Sequence, residues 1–152
     1  MATSESGPVR LDVQASVQAT EEEEKVRQAI QNLFPAAMRR TLDLKSTTLR
    51  GHYHNPIIRL TIQITKPALV TQALTAIGQQ LSPEDRIKIQ KTLTSRINQK
   101  GQLFLRLNKQ EAYQGRVQLI NRGDSIRLVV RFSGRKLSQN TLEHLCRQFN
   151  LI

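Results

Sequence analysis

Between Val9 and Pro35 the chain reads VRLDVQASVQATEEEEKVRQAIQNLFP, and its periodicity changes once. Val9, Leu11, Val13, Ala15, Val17 and Ala19 alternate with Arg10, Asp12, Gln14, Ser16 and Gln18, the period of two that buries one face of a strand and wets the other. Val26, Ala29, Ile30 and Leu33 then recur at helical spacing. Thr20 with Glu23 has the form of a capping box, and the acidic run Glu21 to Glu24 suits the positive end of a helix dipole, so a helix is expected from Glu21. Pro35 stops it after Phe34.

The same alternation of patterns continues outward. Ile58, Leu60, Ile62 and Ile64 mark a second clear strand, closed by Lys66-Pro67. Pro67 opens a helix carrying Leu69, Val70, Ala73, Leu74 and Ile77 up to Gly78, and Ser82-Pro83-Glu84-Asp85 opens another through Ile87, Leu93 and Ile97. Leu103, Leu105 and Leu107 alternate again. Val117 and Leu119, the turn Asn121 to Asp124, and Ile126, Leu128 and Val130 read as a hairpin, with Gly123 supplying a permissive backbone. Met38 to Leu44 is a further strand candidate, and Ser138 caps a last helix with Leu142, Leu145, Cys146 and Phe149 on one face. This order predicts an α+β domain, a mostly antiparallel β-sheet packed with helices, over residues 9–152 after a flexible tail at 1–8.

Of the 152 residues 38% are hydrophobic and only 4% aromatic, with no Trp, so the core rests on aliphatic side chains and stacking platforms are scarce. Cys146, the one cysteine, excludes an internal disulfide and a cysteine zinc site, and a reducing, cytoplasmic setting follows. No stretch approaches a membrane span, so no membrane partner is expected. The net charge is +11, and it is unevenly placed. Residues 1–85 hold 9 Lys/Arg and 9 Asp/Glu, whereas residues 86–152 hold 14 and 3. A one-signed field attracts polyanions and speeds their encounter. The plain alternative is a solvated basic surface that serves solubility.

No phosphate-binding loop, dinucleotide fingerprint, nucleophile elbow or zinc spacing is present, so neither catalysis, a cofactor nor a small-molecule substrate is expected. His52 and His54 would share a face on a strand, but no third ligand is near and His144 is distant, so a polar loop or an RNA contact is expected there, with Asn55, in preference to a metal. Arg106, Asn108, Lys109, Gln110, Tyr113 and Arg116 form the stronger constellation. It combines cations for phosphates, amides for base edges or sugar hydroxyls, and one aromatic face. A polar strand–helix junction with Tyr113 anchoring the core explains the same residues without a ligand. Arg122 lies in the expected turn. Arg127 and Arg131 share the strand face opposite Ile126, Leu128 and Val130, which predicts a basic sheet surface and salt-sensitive, sequence-tolerant binding.

Leu103 to Gly115, LFLRLNKQEAYQG, resembles a segment of a family of small archaeal RNA-binding proteins predicted to be exosome subunits, in which a strand leads into a lysine-glutamine-containing stretch ending in tyrosine and glycine. His52 to Ile57, HYHNPI, is similar to that family's glycine-asparagine-proline turn, with His54 where glycine is expected. Leu81 to Arg86, LSPEDR, and Glu24 to Pro35, EKVRQAIQNLFP, also look like family features, and together the segments cover about residues 9–132 in order. The resemblance implies a ribosomal-protein-like fold similar to large-subunit protein L-five, a place in RNA processing or degradation beside exosome or ribosome components, and RNA contact at Asn108, Lys109, Gln110 and Tyr113, and at His52 and Asn55. The arginines rest on charge and face alone. The expectation is a non-enzymatic RNA-binding protein. Its rivals are an adaptor docking an acidic partner subunit through the basic half, which charge steering serves equally well, and a metal-dependent nuclease. The RNA reading requires the cations of the latter half to converge in space.

Overall fold

A computed structural model describes residues 7–50, 56–133 and 137–152. The N-terminal alternation forms β1 (Pro8–Val17), with Leu11, Val13, Ala15 and Val17 buried and Asp12, Gln14 and Ser16 half-buried on the reverse side. Pro8 already pairs with Phe132, and the Gly7 carbonyl accepts from the Ser133 N–H at 2.9 Å, so the last residues of the expected tail belong to the sheet. Residues 1–6 lie outside the described residues.

The helix α1 (Glu23–Gln31) begins two residues later than its sequence suggests, and the capping box does not form. Glu22 holds the cap position without a side-chain bond, while the Glu21 carboxylate turns back to accept from the Gln18 N–H at 2.9 Å. Where Met38 to Leu44 suggested a strand, a short helix α2 (Ala36–Arg39) stands instead. Pro35 breaks α1 and its fixed φ permits a new turn, which the buried Met38 anchors. The strand comes later, as β2 (Lys45–Arg50), an edge strand wet on both faces and therefore without apolar alternation. β3 (Pro56–Ile64), α3 (Pro67–Gln80) and α4 (Pro83–Arg96) follow the expected pattern, and the Ser82 hydroxyl caps α4 by accepting from the Asp85 N–H at 3.1 Å. The buried stripe of α4 is Asp85, Ile89 and Leu93, each four residues apart, which leaves Ile87 50% exposed rather than in the core.

The chain then forms β4 (Gln102–Asn108), α5 (Lys109–Tyr113), β5 (Ser125–Phe132) and α6 (Gln139–Gln148). The sheet has the order β2-β3-β1-β5-β4, and every neighbouring pair is antiparallel. The expected hairpin across Asn121 to Asp124 is not a pair. β5 sits between β1 and β4, where Ile126, Leu128, Val130 and Phe132 are all buried, and residues 117–120 instead line the outer edge of β4. There the Asn108 N–H donates to the Gln118 carbonyl at 2.8 Å and the Ile120 N–H to the Arg106 carbonyl at 3.0 Å. Buried Asp85 of α4 pins this segment by accepting from the Leu119 N–H at 2.8 Å. Burying four apolar side chains in the middle of the sheet outweighs a local turn.

The buried stripes of the helices and one face of the strands make a single hydrophobic cluster, so the helices cover that face. Its tightest approach is at Gly78 of α3, where an added Cβ would stand 1.7 Å from the Phe149 carbonyl oxygen. The Arg86 guanidinium ties the same corner, donating to the Gly78 and Asn150 carbonyls at 2.9 Å each. Among the described residues no helix is long and apolar enough to cross a membrane.

Candidate nucleic-acid interface

The uncovered face of the sheet carries the alternate residue of every strand, and none of them is buried. Lys45, Thr61, Gln14, Arg127 and Arg106 stand opposite one another in a row that crosses all five strands. The next row holds Gln63, Asp12, Val129 and Phe104, and the one beyond it Arg10, Arg131 and Gln102. On the other side of the first row Arg59 lies between Thr47 and Ser16. Arg10, Lys45, Arg59, Arg106, Arg127 and Arg131 thus share this face with one carboxylate, Asp12. Arg106 directly opposes Arg127, a like-charge pairing that costs stability until an anion lies between them.

The cations differ in what already holds them. Arg10 Nε donates to Asp12 at 3.0 Å, and this hydrogen bond, then the carboxylate charge, raise its pKa further. Lys45 lies 3.9 Å from Asp43, with both side chains well exposed. Arg59, Arg106, Arg127 and Arg131 have no carboxylate within ion-pair distance among the described residues, and Arg59 Nε is shielded from water without an acceptor. Arg96, in the last turn of α4, joins this edge. Its Nε donates to Thr92 Oγ1 at 2.7 Å, burial lowers its pKa, and no described carboxylate pairs with it. The Arg127 guanidinium lies over the Phe104 ring, 5.2 Å from its centroid.

Two hollows flank this cation–π pair. One, of about 410 Å³, is lined by Gln14, Thr61, Gln63 and Gln102 beside the Arg10–Asp12 pair. The other, of about 530 Å³, is lined by Thr92, Ser95, Arg96, Arg106 and Asn121. Phe104 and Arg127 border both.

The segment from Asn108 to Arg116 is arranged differently. The Asn108 side chain caps α5, accepting from the Glu111 N–H at 3.0 Å, and donates to Gln118 at 3.3 Å. Lys109, expected among the phosphate cations, is instead turned inward and is only 5% exposed. Its ammonium donates to the Ser16 carbonyl at 2.6 Å, to Glu21 at 3.0 Å and to Asp124, so its charge is already neutralised. Arg116 pairs with Glu111 at 2.7 Å. Tyr113 does not anchor the core. It is 40% exposed, carries the Lys25 ammonium 5.9 Å from its ring centroid, and with Gln110 borders a hollow of about 360 Å³ between α1 and α5. Arg122 is exposed in the turn before β5, where Gly123 adopts φ +88°. His52 and Asn55, with His54, lie outside the described residues. Among the described residues no group of three His, Cys, Asp or Glu side chains could hold a metal.

Arg131 and Lys109 lie at opposite ends of the β4–β5 ladder, roughly 20 Å apart at the rise of an extended strand. The expected single patch is therefore divided. Arg106, Arg127 and Arg131 converge on the open face, while Lys109 and Arg116 are held by acids at the far corner.

A family model described as RNA binding matches residues 10–132, from the start of β1 to the end of β5. The chain belongs to this RNA-binding family. RNA-binding protein PAB1135 of Pyrococcus abyssi is 25% identical over 122 residues, covering 80% of this chain and 79% of that protein. Protein AF2318 of A. fulgidus is 29% identical, with a TM-score of 0.78 over 93% of this chain and 99% of its own. Mth689 of Methanothermobacter thermautotrophicus, at 22% identity and a TM-score of 0.73 over 93% and 97%, shares the fold. Apart from the first two residues of β1, all five strands of the open face fall within the region that the RNA-binding family shares.

Sequence reasoning missed Arg10, Lys45, Arg59, Arg96 and Phe104. For Arg10, Arg59 and Phe104 the signal was available, since each occupies the polar phase of a period-two strand. Lys45 belongs to an edge strand without that phase, and Arg96 reaches the face only through packing of α4 beside β4.

Proposed function

We propose that this protein binds RNA along the open face of its sheet, without catalysing a reaction on it. The observation that supports this most strongly is the set of guanidiniums at Arg59, Arg106, Arg127 and Arg131, which lack carboxylate partners among the described residues and share the open face of the sheet, with Arg96 of α4 at its edge. Elsewhere acids pair Lys25, Arg27, Lys109, Arg116 and Arg147, while Lys66, Lys88 and Lys91 are exposed without a described carboxylate partner. What distinguishes the open face is that its unpaired guanidiniums are gathered together, where a phosphate backbone takes the place of an acid and releases counterions in doing so. Arg122, exposed next to Asn121 at the rim of the hollow beside β4, extends the contact, whereas Gln110 and Tyr113 face the separate hollow between α1 and α5. The family and the name of the Pyrococcus relative agree with this reading. An accessory role in RNA processing or degradation, beside the exosome or the ribosome, is the corresponding cellular assignment, and copurification of those components with RNA from cells tests it.

The binding itself is tested by salt titration of a fluorescent single-stranded RNA. Log affinity is expected to fall linearly with log salt, and the Arg106→Ala/Arg131→Ala variant to reduce the slope by about 1.4, two phosphate contacts at roughly 0.7 each. A salt-independent affinity, or an unchanged slope in the variant, contradicts the proposal.

A further inference from the structure

The stacked pair at the centre of the open face has surroundings too asymmetric for a plain phosphate track. On one side of Phe104 and Arg127 the hollow is lined by amides and a hydroxyl, from Gln14, Gln63, Gln102 and Thr61, and its only carboxylate is held by Arg10. Amides offer donors and acceptors together, the pattern that a base edge requires. On the other side the hollow gathers the guanidiniums of Arg96 and Arg106 with small hydroxyls, and no carboxylate lines it. Arg96 is partly buried at this hollow with no anionic partner among the described residues, which makes the hollow the more favourable place for a charge of opposite sign.

We infer that Phe104 and Arg127 form a single-nucleotide subsite, in which an unpaired base stacks on the Arg127–Phe104 pair and presents its edge to the amide-lined hollow while its phosphate enters the hollow of Arg96 and Arg106. A guanidinium plane laid over a ring extends the aromatic surface and accepts a base on its free side. The subsite selects unpaired RNA, because a duplex keeps its base faces stacked and its edges paired. It deepens the assignment of RNA to the open face and rests on it. Among the described residues Phe104 is the one aromatic on this face, so a single platform is proposed.

The test compares a short oligouridine with an abasic ribose-phosphate strand of the same length and charge, by fluorescence anisotropy at fixed salt. The native protein is expected to bind oligouridine roughly tenfold more tightly than the abasic strand, the size of one stacking contact. Phe104→Ala and the apolar but non-aromatic Phe104→Leu are both expected to abolish that preference while leaving abasic binding unchanged, and Phe104→Leu, the smaller truncation, guards against a folding defect. No preference in the native protein, or a preference that survives in both variants, overturns the subsite. Arg131→Ala is expected to weaken both strands alike; if it weakens neither, the open-face assignment itself fails and the subsite with it.

Discussion

On β5, Leu128 is fully buried beneath the helices, while its neighbour Arg127 stands exposed across from Arg106. The covered face buries apolar side chains, and the one lysine buried at its margin, Lys109, has an ammonium that meets two carboxylates and a carbonyl. The open face leaves like charges side by side. Folding accounts for the first arrangement, because an unpaired buried charge would destabilise the domain. It does not require the second, a repulsion that an anion lying between the cations would relieve. One basic sequence thus contains two kinds of cation, and the number of lysines and arginines does not separate them.

The contrast predicts that substitutions on the covered side change stability and leave RNA affinity of the folded protein intact, with the reverse on the open side. Gly78→Ala should have the largest effect. Its methyl group would collide with the Phe149 carbonyl, displacing α6, and a loss above about 3 kcal/mol is expected in urea unfolding. Lys109→Met should cost about 2–3 kcal/mol, below the usual value for breaking a buried ion pair because Glu21 and Asp124 keep some contact with water. Its RNA affinity, measured where it remains folded, should match the native value, and a large loss there would make Lys109 a contact after all. Asn108→Ala should remove the α5 cap at about 1 kcal/mol in the thermal or urea transition. Smallest in stability is Arg127→Ala, within about 0.5 kcal/mol of native, and it should weaken RNA binding at low salt.

The two faces were unequally legible. In β1, β3, β4 and β5 the period of two was visible, so the burial of Leu11, Ile62, Leu105 and Leu128 and the exposure of Arg127 and Arg131 follow from local sequence. β2 was not, because an edge strand wet on both sides has no pattern to read. The inward turn of Lys109 depends on partners 88 and 15 residues away, and the pairing of residues 117–120 with β4 depends on Asp85, 34 residues before Leu119. Such contacts arise only once the sheet order is set. The strand-to-helix junction at Asn108 was legible as a junction; the capping role of its side chain, a contact only three residues long, was equally local and was missed because the same amide also suits a base edge.

Photo-crosslinking of bound single-stranded RNA, followed by mass-spectrometric identification of the modified residues, tests most directly whether RNA occupies the uncovered side of the sheet. Adducts on residues 102–106 and 125–131, with β1 and β3 residues of the same face, are the predicted result. Adducts confined to α1, α3 and α6, with none on the strands, would contradict it.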